Sequence, residues 1–176
     1  MIHSFEVTLN DADRGVYERL EFRLARHPSE TAEYLAMRVL AYCLEYGAGL
    51  AFSKGGLSDP DSPALEIRDL TGALQSWIEI GLPEPARLHK AAKAAPRVAV
   101  YAHRDVSRLL ERLAEADVHR VGHIEIYSVD KDFLAQFVAR LERRVRFDLA
   151  VTDRNLYLSM GDETLTGSVR LHPVSA

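Results

Sequence analysis

The stretch from Arg97 to Leu141 does most to narrow the fold. RVAVY at 97–101 is a short β-branched run that suits a buried parallel strand. Val106 to Ala116 follows with Leu109, Leu110 and Leu113 at helical spacing. HIEIYSV at 123–129 reads as another strand. Asp130 is placed to cap a helix over 131–141 that turns Phe133, Leu134, Phe137 and Val138 inward. Strand and helix in alternation are the pattern of α/β units with right-handed crossovers. The middle of the chain therefore predicts helices packed on a partly parallel sheet.

The two ends have a different period. Phe5, Val7 and Leu9 alternate with polar residues, as do Val16 to Leu24, and turn chemistry over 10–15 (NDADRG) separates the two runs. An antiparallel hairpin is expected there. At the other end Val145, Phe147, Leu149 and Val151 alternate. A turn at Asp153-Arg154-Asn155, the run Leu156, Leu158 and Met160, a second turn at 161–163 and a last run through Val169 and Leu171 follow. That is a β-meander, expected to pair with the N-terminal hairpin. Between the ends, Pro28 disfavours helix at His27, and Ser29 is a sensible N-cap with Glu30 in the first turn. The predicted helix runs to about Tyr46, where Gly47 and Gly49 stop it. A short strand, Leu50–Phe52, and a loop over 53–63 with Gly55-Gly56 as a hinge complete this part.

With 176 residues and no internal repeat, low-complexity tract or linker, one domain spanning 1–176 is expected. A net charge of −4 gives no electrostatic footprint for broad nucleic-acid binding, so such a partner needs a local basic patch. The single cysteine, Cys43, excludes an internal disulfide and any multi-cysteine metal site, and its apolar helical neighbours make it a core residue. The N-terminus lacks signal-peptide character, and no apolar run approaches the ~20 residues that span a bilayer. The expected location is cytoplasmic, with no membrane partner.

Chemistry concentrates in Leu65–Gly81, LEIRDLTGALQSWIEIG. Two apolar runs, Leu65–Ile67 and Trp77–Ile80, flank Thr71-Gly72 and read as strand, turn, strand. Asp69 ends the first run and Glu79 lies inside the second. A carboxylate beside Trp77, Ile78 and Ile80 costs several kcal/mol to bury unless a cation or a strong donor pairs with it. A helix over 84–95 follows, with Pro85 in its first turn and Arg87, His89, Lys90 and Lys93 along it.

HPSET at 27–31, DLTG at 69–72 and WIEIG at 77–81 together resemble the YaeQ family of small bacterial proteins, along essentially the whole chain. The order of elements is similar to the PD-(D/E)XK nuclease superfamily. The resemblance implies an α/β fold with a nuclease-like mixed sheet flanked by helices, plus antiparallel hairpin extensions from the terminal segments. It also implies a divalent ion, Mg²⁺ or Mn²⁺, held by Asp69 and Glu79 with Glu30 from the first helix, and nucleic acid as a partner. The superfamily's lysine stands two residues beyond the last acid, where this chain has Gly81. Lys90 on the following helix is the replacement the resemblance suggests, with Lys54 the poorer one.

Each of these residues also has a structural reading. Glu79 is expected to pair with Arg87, Lys90 or Arg38 if it is not a ligand. Asp69 can brace its turn by accepting from Thr71 or Gly72, Glu30 can serve the helix dipole, and Lys90 can be a solvated helix residue. His27 before Pro28 reads as backbone-bonding, and Trp77 as a core or rim aromatic. His119 and His123 lack the helical spacing of a metal pair, and Gly55-Gly56 lacks the rest of a phosphate loop. If the hairpin turns tightly at Thr71-Gly72, Asp69 and Glu79 stand about 17 Å apart at ~3.3 Å per residue, too far for one ion. Two functions are therefore expected: a metal-dependent phosphodiesterase, or a nuclease-like binding or regulatory protein without catalysis.

Overall fold

The computed structural model describes residues 1–53 and 59–174, so Lys54 and Gly55-Gly56 lie outside the described residues. The chain divides into two compact units, Met1–Ala36 with Val129–Arg170, and Met37–Ser128 with the residues from Leu171 onward.

The first unit opens with β1 (Ile2–Asp11) and β2 (Val16–Ala25), joined antiparallel in register from Ile2↔Ala25 to Asp11↔Val16. Gly15 supplies the positive φ of +68° that this turn needs. The meander is β8 (Arg144–Thr152), β9 (Asn155–Met160) and β10 (Glu163–His172). β8 runs parallel to β1, giving the order β2-β1-β8-β9-β10. One face is apolar: Phe5, Val7, Leu9, Phe147, Leu149, Leu156 and Leu158 are all buried. Helix α4 (Lys131–Val138) supplies Phe133 and Phe137 to this core, with Phe137 edge-on to Phe147 at 5.3 Å between ring centres.

Helix α1 (Ala32–Leu44) begins two residues later than the sequence suggests. Thr31, not Ser29, caps it, accepting from the Tyr34 backbone N–H at 3.1 Å. Both residues can cap, but Ser29 is drawn into a turn in which its own N–H donates to His27 Nδ1 at 3.1 Å. Glu30 therefore precedes the helix, and the first-turn acid is Glu33.

The second unit has the order β7-β6-β5-β4-β3, with β3 (Leu50–Phe52), β4 (Leu65–Arg68) and β5 (Leu74–Ile80) antiparallel. β5, β6 (Arg97–Ala102) and β7 (Glu125–Val129) are parallel. The crossovers carry α2 (Pro85–Ala94) and α3 (Ser107–Glu115), as the alternating pattern predicts. Trp77, Leu88, Ala91, Val98, Val100, Leu109, Leu113 and Ile126 form one buried cluster beneath these helices. His123, expected in a strand, instead ends a 3-10 turn at Val121–His123.

Candidate functional site

Strand β5 is buried from Ser76 to Ile80, so Glu79 lies inside the unit, only 5% exposed. It shares a strand face with Trp77 and sits opposite Val100. Its charge is met from two directions. The Trp77 indole Nε1–H donates to Oε1 at 2.6 Å. The Arg87 guanidinium, reaching down from α2, donates through Nε to Oε2 at 2.8 Å and through Nη2 to Oε1 at 2.9 Å. Two parallel N–H···O bonds are the strongest arrangement a carboxylate and arginine can adopt. The guanidinium carbon also lies 5.7 Å from the centre of the Trp77 ring.

Arg87 does more than neutralise. Nη1 donates to the carbonyl of Pro60 at 3.0 Å and Nη2 to that of Ser62 at 2.7 Å. One side chain thus ties α2, β5 and the segment leading into β4. Lys90, one turn later on α2, pairs with Asp61 of that segment. Asp59 braces it from within, accepting from the Asp61 backbone N–H at 2.9 Å and the Ser62 hydroxyl at 2.8 Å. The backbone bond and then the hydroxyl bond hold the Asp59 carboxyl below its usual range.

Asp69 is elsewhere. The hairpin closes with the Asp69 N–H bonded to the Ala73 carbonyl at 3.0 Å, after a bulge between Ile67 and Arg68. Asp69 Oδ1 accepts from the Thr71 hydroxyl at 2.5 Å and from the Thr71 and Ala73 backbone N–H groups, and Oδ2 accepts from Gln75. These bonds, the Thr71 hydroxyl first, hold its carboxyl below the ordinary range. From Ala73 to Glu79 the strand advances by roughly 20 Å at ~3.3 Å per residue. The bulge does not bring the two acids together.

Glu30 closes a turn at 27–30, its carboxylate accepting from the His27 backbone N–H at 3.0 Å. His27 is engaged in the same turn, its Nδ1 2.6 Å from the Ser29 hydroxyl. Gly81 adopts φ +97°, a region side chains avoid, so glycine there answers a backbone requirement and a lysine would be strained. As arranged, these donors do not fit a divalent ion. Both Glu79 oxygens hold N–H groups and Asp69 is at the far end of its hairpin. Among the described residues no group of three or more His, Cys, Asp or Glu side chains is placed to hold a metal.

Two features escape sequence reasoning. An antiparallel hairpin puts the start of β4 beside the end of β5, and the Ala64 N–H bonds to the Ile78 carbonyl at 3.1 Å. Asp59 and Asp61, not Asp69, are the acids at Glu79's end, and the strand direction was the signal. The second feature is an ionic cluster around Arg97. Its Nη1 and Nη2 donate to Glu45 at 2.5 and 3.1 Å, and Nε and Nη2 donate to Glu125 at 2.7 and 3.1 Å. Tyr101 donates to Glu45 and Tyr127 to Glu125, each at 2.6 Å, with the two rings stacked 4.9 Å apart. Burial alone would lower the Arg97 pKa, but bonding to Glu45 and Glu125 outweighs it and raises the value. Burial, then the bond to Glu125, pushes the Tyr127 phenol up to about 12.

The fold and the site define a class: a mixed α/β protein whose second unit buries a carboxylate, clamped by arginine, near the end of a β-hairpin. The particular family follows from comparison with known proteins. The profile of the YaeQ protein family matches residues 1–169, and the chain belongs to that family. It is 29% identical over 159 residues to the YaeQ protein of Salmonella typhi, a match covering 90% of this chain and 87% of that protein. The Escherichia coli YaeQ protein is 28% identical over the same length, with the same coverage. The crystal structure of the YaeQ protein from Xanthomonas axonopodis pv. citri superposes with a TM-score of 0.88 at 29% identity, covering 99% of this chain and 98% of that one. The Pseudomonas syringae YaeQ structure gives 0.88 at 29% identity, covering 97% and 94%. No helix among the described residues is long and apolar enough to cross a membrane.

Proposed function

We propose that this chain is a binding or regulatory protein on a PD-(D/E)XK nuclease-like scaffold, with Glu79 serving as a structural anchor instead of a metal ligand. One observation carries the reading: both Glu79 oxygens are engaged by the Arg87 fork and the Trp77 indole N–H. Releasing that carboxylate to an ion would leave a guanidinium facing the same pocket, and like charges repel. The clamp also has a purpose of its own, because it fastens the segment at 59–62 to α2. The test is thermal denaturation with and without millimolar Mg²⁺ or Mn²⁺. A ligand that binds only the native state raises its stability by RT ln(1 + [L]/Kd), about 2.7 kcal/mol at 100-fold over Kd. An unmoved melting temperature is expected. A rise that disappears in Glu79→Gln would overturn the reading.

The alternative is metal-dependent phosphodiester hydrolysis with Mg²⁺ or Mn²⁺. What favours it is that the segment carrying the Asp61–Lys90 pair is tied through Arg87 to Glu79, so that Asp61 would take the place the resemblance assigned to Asp69. DNA cleavage by the purified chain with Mn²⁺, lost in both Glu79→Gln and Asp61→Asn, would establish that reading in place of the first.

A further inference from the structure

The polar face of the first unit's sheet, opposite its apolar core face, carries a concavity of about 580 Å³. Its polar lining comes from Ser4 and Glu6 of β1, Glu21 and Arg23 of β2, and Arg144 and Arg146 of β8, with apolar residues between the two rows. The register puts these polar residues in two rows across three strands. Arg23, Ser4 and Arg144 form one row, and Glu21, Glu6 and Arg146 the next. Residues in one row project to the same face, about 5 Å apart from strand to strand. The second row is largely self-satisfied, because Arg146 donates to Glu6 Oε2 through Nε at 2.8 Å and Nη2 at 2.7 Å. The first row is not. Arg23 and Arg144 are exposed and have no ion-pair partner among the described residues, with only the Ser4 hydroxyl between them.

We propose that this concavity binds a small phosphorylated anion, with the phosphate bridging Arg23 and Arg144 above Ser4. The α-carbons of the two arginines are roughly 10 Å apart, two strand spacings. Both side chains are long enough for their guanidinium forks to converge on one phosphate or pyrophosphate group. A planar fork gives each arginine two parallel N–H donors for the oxygens, a match lysine lacks. The Ser4 hydroxyl adds a neutral donor at the floor. Glu21 at the rim disfavours ligands with more negative charge extending toward β2. The volume exceeds what an inorganic anion needs and lies in the range of pockets for small organic ligands. The occupant is therefore a phosphate carried on a small organic body. The positive pair stands out in a chain of net charge −4, so the attraction is local and not a general affinity for polyanions. The site belongs to the first unit and is independent of the role assigned to Glu79.

The test is calorimetric titration of the full chain with inorganic pyrophosphate, then with a nucleoside monophosphate and a sugar phosphate to identify the organic body. The expected result is saturable binding that weakens with salt. Arg23→Gln and Arg144→Gln should each weaken it by about tenfold, the loss of one charge-assisted donor set. Arg23→Lys should restore only part. Both arginines are on the surface, so the melting temperature of each variant serves as its folding control. Two results would overturn the proposal. One is titration that the double variant leaves unchanged, or that Lys90→Gln abolishes instead. The other is a single-stranded oligonucleotide that binds far more tightly than the small phosphates and depends on Tyr17 and Tyr157, the exposed tyrosines farther along the same face.

Discussion

The Glu79–Arg87 clamp makes an asymmetric prediction. The two charges are about 4 Å apart, and at an effective dielectric near 20 their attraction is about 4 kcal/mol before desolvation is charged against it. The carboxylate side chain is 7% exposed and the arginine side chain 26%. Arg87→Met removes the cation and leaves a buried carboxylate with only the Trp77 N–H, so it should destabilise by about 3 kcal/mol, as breaking buried pairs does. Glu79→Gln keeps an oxygen for Trp77, and the remaining arginine can still reach water and the carbonyls of Pro60 and Ser62. Its cost should be only about 1–2 kcal/mol. The double variant should cost less than the sum of the singles by about 2 kcal/mol. Urea denaturation at neutral pH, with far-UV circular dichroism and Trp77 fluorescence as two probes, measures all three. Additive costs would refute the coupling. A Glu79→Gln cost at or above that of Arg87→Met would refute the claim that the carboxylate is the group that cannot be left alone.

Other expectations follow from the backbone and from the second ionic cluster. A Cβ at Gly49 (φ +85°) would fall 1.9 Å from the Arg68 carbonyl oxygen, where the Arg68 N–H is already bonded to the Gly49 carbonyl. Gly49→Ala should cost about 3 kcal/mol from overpacking and positive φ together; a melting temperature equal to the parent's would show that this corner can move. Gly167→Ala sets a methyl 2.6 Å from Phe133 Cβ and Cγ, costing about 2 kcal/mol. Phe133→Leu keeps both of those atoms and should not rescue it in thermal melts. The Tyr127 phenol should ionise near pH 12, against about 10 for a free tyrosine, in a spectrophotometric titration. Because the folded value is raised, its contribution to stability is complete below about pH 10 and is lost as pH rises through about 12. Glu125→Gln should move that titration down, and no movement would remove Glu125 as a cause.

The candidate site was legible in part, and the errors have local reasons. Glu79 stands out because an acid in an apolar strand requires a partner, and Arg87 is among the cations the sequence offers it. Sequence order alone sets Asp69 with Glu79, whereas antiparallel pairing sets the acids before β4, at Asp59 and Asp61, beside the end of β5. Ser29 and Thr31 are both good caps, so the sequence alone admits Glu30 to the helix, and only the turn at His27 decides between them. The Arg97 cluster draws on Glu45 and Glu125, which are 52 and 28 residues away in the chain, so no local pattern announces it.

What the sequence determined alone is the run of elements: the hairpin, the alternating middle and the meander. Periodicity, proline, glycine and turn residues act over a few positions and leave their mark in the local chain. The tertiary structure decided the direction and register in which distant strands became neighbours. It set β1 parallel to β8 across about 140 residues, gave Arg87 to Glu79, and left Arg23 and Arg144 facing each other across Ser4. Those outcomes depend on register and direction between distant segments. A side chain's charge is written in the sequence, but the group that meets that charge is chosen only when the backbone closes.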